Sequence, residues 1–315
     1  MDKAPMHLAA PTKPSSSTQS IETMTAPLRQ VLVCPPANAG WNDPKKTAAW
    51  PDLGFHHPPN FAAGESQHQA LCHLLTQAGA DVLTLPENKT LTLDAVYTHD
   101  ATLPTNHGLI LMRPGKTTRI PEAHAQAAFC AQHVPTFAEI QAPATTEAGD
   151  LVWLNEVWLN DAQPNKITLL VGQGFRTNQA GLDQLRALLA PRVEVLPAPL
   201  PHGQGPSACL HLMSLMSMLD DHTILVDLPW LSVETVHLLR SRNLRLIEID
   251  QSERDTLACN VLALGNNRLI ALEENAATNA RLRAAGFEVQ TFPGSELCIN
   301  GGGGPTCLTR PLLRK

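Results

Sequence analysis

The 315-residue sequence contains no run of about 18 apolar residues, so nothing in it reads as a membrane span. Basic residues are in deficit: 23 lysines and arginines face 29 aspartates and glutamates, a net charge of −6. A general nucleic-acid or anionic-membrane binder needs the opposite balance, so neither partner is expected. No C-x-x-C pair occurs among the seven cysteines, Cys34, Cys72, Cys130, Cys209, Cys259, Cys298 and Cys307. An odd, scattered set is unlike the disulfide framework of a small secreted domain and points to a reducing, cytoplasmic compartment. Metal-site spacing is missing as well. The 13 histidines include no H-E-x-x-H, and adjacent His56 and His57 would point apart on any strand.

What remains is a globular composition, 43% hydrophobic and 17% charged, with chain enough for one large or two ordinary domains. Residues 1–26 are rich in Ser, Thr, Pro and Ala, lack the apolar core of a secretory signal and are expected to be a disordered tail. Ordered chain is expected from the strand RQVLVCP onward. From there an amphipathic helical stretch is followed by a short β-branched strand, five times over. Those strands start at Asp81, Thr136, Val193, Leu244 and Phe287, a recurrence of about 50 residues. Further strands are expected between them at DAVYTH, GLILMRP, DLVWLN, ITLLVG, TILVDL, NVLALG and RLIAL. Such a unit implies stacked or radial modules, none of which buries its apolar face alone. One helix for every three strands fits a doubly wound sheet poorly. A radial α/β arrangement around a central channel fits better and places the site at the axis; an irregular α/β domain is the alternative.

Chemistry-bearing residues gather at five places. Near the C-terminus, Cys307 follows the glycine run Gly301–Gly304. Backbone that close and flexible can surround a thiol with N–H donors, or can be an ordinary surface turn. His211 sits in the apolar run LHLMS, either as a core histidine or as a general base for a distant nucleophile, with His202 as its local competitor. Glu147 and Asp150 flank Gly149 ahead of the strand LVWLN; Glu147 reads as functional and Asp150 as turn chemistry. Asp94 and Asp100 lie six residues apart, on one face of a strand, where paired acids would grip a flat guanidinium or be solvated. Arg119 and Arg176 stand in loops, as cap neighbours or as forks for a substrate carboxylate.

These blocks occur in the order seen in the guanidino-group-modifying superfamily of arginine deiminases and amidinotransferases. Within it the sequence most resembles the dimethylarginine dimethylaminohydrolases. The Asp-x-V-[FY]-x-x-Asp segment, the R-P-G…R turn, R-T-N-x-x-G, H-L-x-S and the Gly-rich Cys block fall in register from about Val31 to Arg310. The resemblance implies an α/β propeller of five ββαβ modules, formed here by residues 27–315 as one catalytic domain. It implies Cys307 as nucleophile, His211 as general acid/base and Glu147 as the carboxylate that orients the histidine or the guanidinium. Asp94 and Asp100 match the substrate-binding acids, and Arg119 and Arg176 match the holders of the α-carboxylate. The chemistry would be attack of the Cys307 thiolate on the guanidinium carbon, loss of an amine, and hydrolysis of the resulting thiouronium, with no metal or organic cofactor.

Two departures bear on the substrate. His99 stands where the dimethylarginine hydrolases carry a second acid. Met213 stands where arginine deiminases have an Asp that completes a two-carboxylate grip on an unsubstituted guanidinium. The expectation is therefore a hydrolase for an N-substituted arginine, or a related guanidino or ureido amino acid, before plain arginine. An amidinotransferase sharing the intermediate is one alternative, and a non-catalytic binding protein on the same fold is another. The stretch from Trp41 to Phe61 matches nothing in the resemblance and reads as a subfamily feature or a lid loop. A homodimer is the common state for soluble enzymes.

Overall fold

The computed structural model of the protein describes residues 21–154, 167–206, 208 and 210–315. Its strands form five three-stranded sheets. The first joins the two ends of the chain: β1 (Leu28–Val33) runs parallel to β2 (Asp81–Thr84) and antiparallel to β15 (Arg310–Arg314), with Leu32 opposite Arg310. The other four follow in sequence: β3 (Thr102–Thr105), β4 (Gly108–Leu111) and β5 (Thr136–Glu139); then β6 (Leu151–Leu154), β7 (Ile167–Gln173) and β8 (Val193–Pro199). Next come β9 (Met216–Met218), β10 (Thr223–Val226) and β11 (Arg245–Glu248), and last β12 (Leu262–Gly265), β13 (Arg268–Leu272) and β14 (Glu288–Phe292). In every sheet the middle strand pairs antiparallel with the first and parallel with the third.

Parallel pairing needs a crossover, and one helix supplies it in each module. These are α1 (Phe61–Gln77), α2 (Ile120–Cys130), α3 (Gln179–Leu189), α4 (Val233–Ser241) and α5 (Ala276–Ala284). Three begin at side-chain caps: Asn60, Asn178 and Ser232 each accept the backbone N–H three residues on. In α3, Leu182, Leu185 and Leu189 fall at helical spacing and are buried against the third sheet, while the opposite face stays polar. The result is a five-module ββαβ propeller, the radial arrangement that the repeat implies and the module that the resemblance implies.

Three strands escaped the sequence reading. β3 and β15 contain Pro104 and Pro311, which weaken a strand pattern, and β9 is only three residues long. Conversely, the segment around Asp94 is not a strand. Leu93–Val96 is a 3-10 turn, with the Tyr97 N–H closing on the Asp94 carbonyl at 2.9 Å. The same-face argument for Asp94 and Asp100 therefore fails, although both reach one cleft. The N-terminal end differs too. Glu22 is buried and accepts from Arg192 and from the Asn106 side chain, and Thr25 donates to Asp221 at 2.5 Å. Packed chain thus includes residues 21–26; the rest of the expected tail and Cys209 lie outside the described residues. No described helix is long and apolar enough to cross a membrane.

Candidate active site

Each module's first strand is preceded, within two to five residues, by a polar side chain directed at the common centre. Asp100 precedes β3, Glu147 precedes β6, His211 precedes β9, Asn260 precedes β12 and Cys307 precedes β15. Fivefold repetition of the module is what brings residues 207 positions apart in sequence to one place.

Cys307 lies in a helical turn closed by Leu308 N–H on the Gly304 carbonyl, and it is half-buried. Its Sγ accepts from Asn260 Nδ2 at 3.1 Å, while Asn260 Oδ1 accepts the Thr306 N–H at 3.0 Å. One amide thus ties the thiol and its own backbone together. The glycine run is needed for close approach: a Cβ on Gly303 would stand 2.5 Å from the Tyr97 ring. The other described thiols are held in the neutral form by burial, which lifts Cys72 and Cys130 to about 11 and Cys34, Cys259 and Cys298 well above the usual range.

His211 caps the 3-10 turn Leu212–Ser214 and is buried. Its Nε2 stands 2.7 Å from Glu147 Oε2. Because a carboxylate only accepts, Nε2 carries the proton in this pair. Gly149 makes room for the ring: a Cβ there would come within 2.8 Å of His211 Nδ1 and 2.7 Å of Asp100 Oδ1. Glu147 is fully buried, and its second oxygen accepts the Gly115 N–H at 2.9 Å and faces Arg176 Nη1 at 3.6 Å. Burial alone would raise its carboxyl, but the His211 hydrogen bond and charge outweigh that and hold it below its ordinary value. Asp150 accepts the Leu212 N–H at 3.0 Å and the Thr177 hydroxyl at 2.6 Å, anchoring the histidine's turn from behind.

Asp94, Asp100, Arg119, Arg176, His211 and Cys307 line one cleft together with Leu53, Gly54 and Lys116. The acids are already paired. Asp94 Oδ2 meets Lys116 Nζ at 2.5 Å, and Asp100 Oδ2 meets Arg119 Nη1 at 2.6 Å. Burial opposes ionisation of Asp100, but His211 and Arg119 hold it well below the carboxylate range. Arg119 departs from its expected part as a carboxylate fork. Four of its donors go to Asp100, to both oxygens of Glu122 and to the Tyr97 carbonyl. His99 lies behind the site: its Nδ1 donates to the Thr309 carbonyl at 2.9 Å, and burial beside Arg310 keeps it neutral. Met213 packs in the core with Val152, Leu170 and Met216 and is not among the residues lining the cleft. Asp100, Glu147 and His211 could offer a cation three ligand atoms within 4.8 Å of one another, against the competing charge of Arg119.

Asn260 and Lys116 are the residues that motif reasoning missed. Lys116 carried no signal apart from its place in the R-P-G turn. The one available for Asn260 was positional, since it precedes a strand at the offset used by Asp100.

The family model of arginine deiminases matches residues 228–314. The N(G),N(G)-dimethylarginine dimethylaminohydrolase of Pseudomonas aeruginosa is 26% identical over 251 residues, 78% of this chain and 87% of that protein. A solved structure of that organism's enzyme, a cysteine-to-serine mutant complexed with citrulline, has a TM-score of 0.71 at 22% identity, covering 90% of this chain and 98% of that one. The product-bound N-terminal domain of ArgZ, an arginine dihydrolase from cyanobacteria, has a TM-score of 0.72 at 21% identity, covering 90% and 97%. A deiminase-type terminal segment, a sequence likeness over most of the chain and a shared fold all support one grouping, the guanidino-group-modifying, or pentein, superfamily, to whose members this chain is similar.

Proposed function

We propose that this chain is a cysteine-dependent hydrolase of a guanidino C–N bond, with the substrate's carboxylate held at the far end of the cleft. The observation that carries the reading is the convergence of half-buried Cys307 with the buried His211–Glu147 pair in one cleft. Asp100 is the ionised carboxylate beside the reacting groups and balances the guanidinium charge. The Cys307 thiol gives its proton to His211, and the resulting thiolate adds to the central carbon, forming a C–S bond and a tetrahedral adduct. His211 gives a proton to one nitrogen, which leaves as an amine or ammonia, and a thiouronium remains on sulfur. His211 then takes a proton from water, whose oxygen adds to that carbon and expels the thiolate, releasing a ureido product. Glu147 fixes the imidazole and stabilises its charged form. Arg176 pairs with the substrate carboxylate, and Arg119 acts one step removed, by fixing Asp100.

Met213 packs in the core and does not line the cleft, so position 213 gives no ground for preferring an N-substituted guanidinium over an unsubstituted one. The test is a screen of arginine, its N-methylated forms, agmatine and citrulline, reading out amine, ammonia and ureido product, with and without an amine acceptor. Cys307→Ser is expected to remove at least about 10³-fold of the turnover with an unchanged melting temperature. Retention of turnover in that variant would refute the mechanism. Transfer of the amidino group to an added amine would instead make the protein an amidinotransferase.

A further inference from the structure

Lys116 has no part in that mechanism, yet its position constrains the substrate. It lies in the turn between β4 and α2, with its side chain only 20% exposed. Nζ donates to Asp94 Oδ2 at 2.5 Å and to the Leu53 carbonyl at 2.6 Å. Leu53 ends the short helical turn Trp50–Leu53, within the Trp41–Phe61 stretch that sequence left without a role. A carboxylate and a carbonyl facing one another make a receptor for an ammonium ion, and here the chain supplies that ammonium itself.

Among the described residues lining the cleft, the carboxylates are Asp94 and Asp100 and the permanent cations are Lys116, Arg119 and Arg176. Arg119 is shared between Asp100 and Glu122, Lys116 neutralises Asp94, and Glu147 is bonded to His211 and faces Arg176. Both carboxylates that line the cleft therefore already have a cationic partner, and at the Asp94 end that partner is the Lys116 ammonium. A substrate carboxylate suits it, because Lys116 has three N–H donors and two are used within the protein. An α-ammonium beside that carboxylate does not. It would meet the Lys116 ammonium, and the carboxylate that could receive it is already paired.

We propose that Lys116 selects an ω-guanidino carboxylate lacking an α-ammonium group, in preference to an arginine-type α-amino acid. The inference rests on the guanidino-hydrolase reading above and concerns the opposite end of the same substrate. The probes are L-arginine and 5-guanidinopentanoate, each with and without N,N-dimethylation. Binding to the Cys307→Ser protein is measured by calorimetry, and ureido release by the wild type as kcat/KM. The compound without the ammonium is expected to be favoured at least about tenfold in both. Lys116→Met and Lys116→Gln, each checked for cooperative melting, are expected to narrow the ratio to within about threefold. Equal or better binding of arginine, or a preference unchanged in both Lys116 variants, would overturn the inference. Ureido release that favours arginine would overturn it while leaving the hydrolase reading intact. A binding preference of the expected size with no ureido product from any probe would support the selection and overturn the hydrolase reading.

Discussion

Four donors of Arg119 go to Asp100, Glu122 and the Tyr97 carbonyl, and the guanidinium is 4% exposed. Its two carboxylate partners are as deeply buried, so removing the fork leaves the Asp100 anion uncompensated and takes two donors from Glu122, whose carboxyl burial has already raised to about 7. Arg119→Lys keeps the charge but supplies a single point donor where a planar fork spans two acids. The expected result is a loss of about 3 kcal/mol in urea-unfolding stability, beyond any rise in KM. A residue that served only to hold substrate would raise KM and leave the unfolding midpoint in place. The same comparison shows what sequence reasoning reached at this scale and what it did not. The convergence of Cys307 with the His211–Glu147 pair was legible because their motifs are specific in type and order. Arg119 was legible as an arginine of the cleft but not as a partner of Asp100 and Glu122, because pairing depends on the cleft's walls. Lys116 and Asn260 were illegible as single residues, since neither type in those surroundings marks chemistry.

At the scale of elements, the recurring helix–strand unit fixed five crossovers, and all five helices appear where the pattern put them. The first strands of the modules were harder to read. They are three to five residues long, and two contain proline. Yet those strands position the site, because the residue just before each one faces the centre. Asp150 shows how such a junction is held. Its carboxyl, raised by burial from an ordinary 3.8 to about 6, grips the Leu212 N–H and the Thr177 hydroxyl. A raised carboxyl means that the folded state keeps a proton the unfolded chain has lost. Stability from this group is therefore full below the unfolded value and falls as pH rises towards 6, by roughly 3 kcal/mol in all. Asp150→Asn cannot titrate. The stability of the variant relative to wild type is expected to improve by about that amount between pH 4 and pH 7.5. Chemical denaturation at the two pH values checks it, and a difference independent of pH would show that Asp150 does not carry this linkage.

For the whole molecule, the decisive contact is the one that joins the ends. β15 completes the first sheet against β1, and it begins three residues after Cys307. The nucleophile is therefore positioned by ring closure as well as by its own loop. Arg314 is the buried fastener of that closure. At 1% exposure its Nη1 donates to the Ala26 carbonyl at 2.6 Å and to the Ala263 carbonyl on β12 at 3.0 Å, linking the N-terminal segment, the last strand and the fifth module. Burial lowers this guanidinium to about 9, so it remains charged at neutral pH. Sequence gave no hint of the role, because an arginine next to the last residue reads as a solvated end; only the ring places it inside. Arg314→Met would fill a similar volume but leave both carbonyls without their donor. The expected cost is about 2–4 kcal/mol, read as a lower urea midpoint with the slope unchanged. Well below the unfolding transition, kcat should stay within about twofold of wild type, because the substitution is remote from the cleft. Unchanged stability would mean that the ring is closed by strand pairing alone, whereas a fall in kcat under folded conditions would mean that Arg314 reaches the cleft through β15.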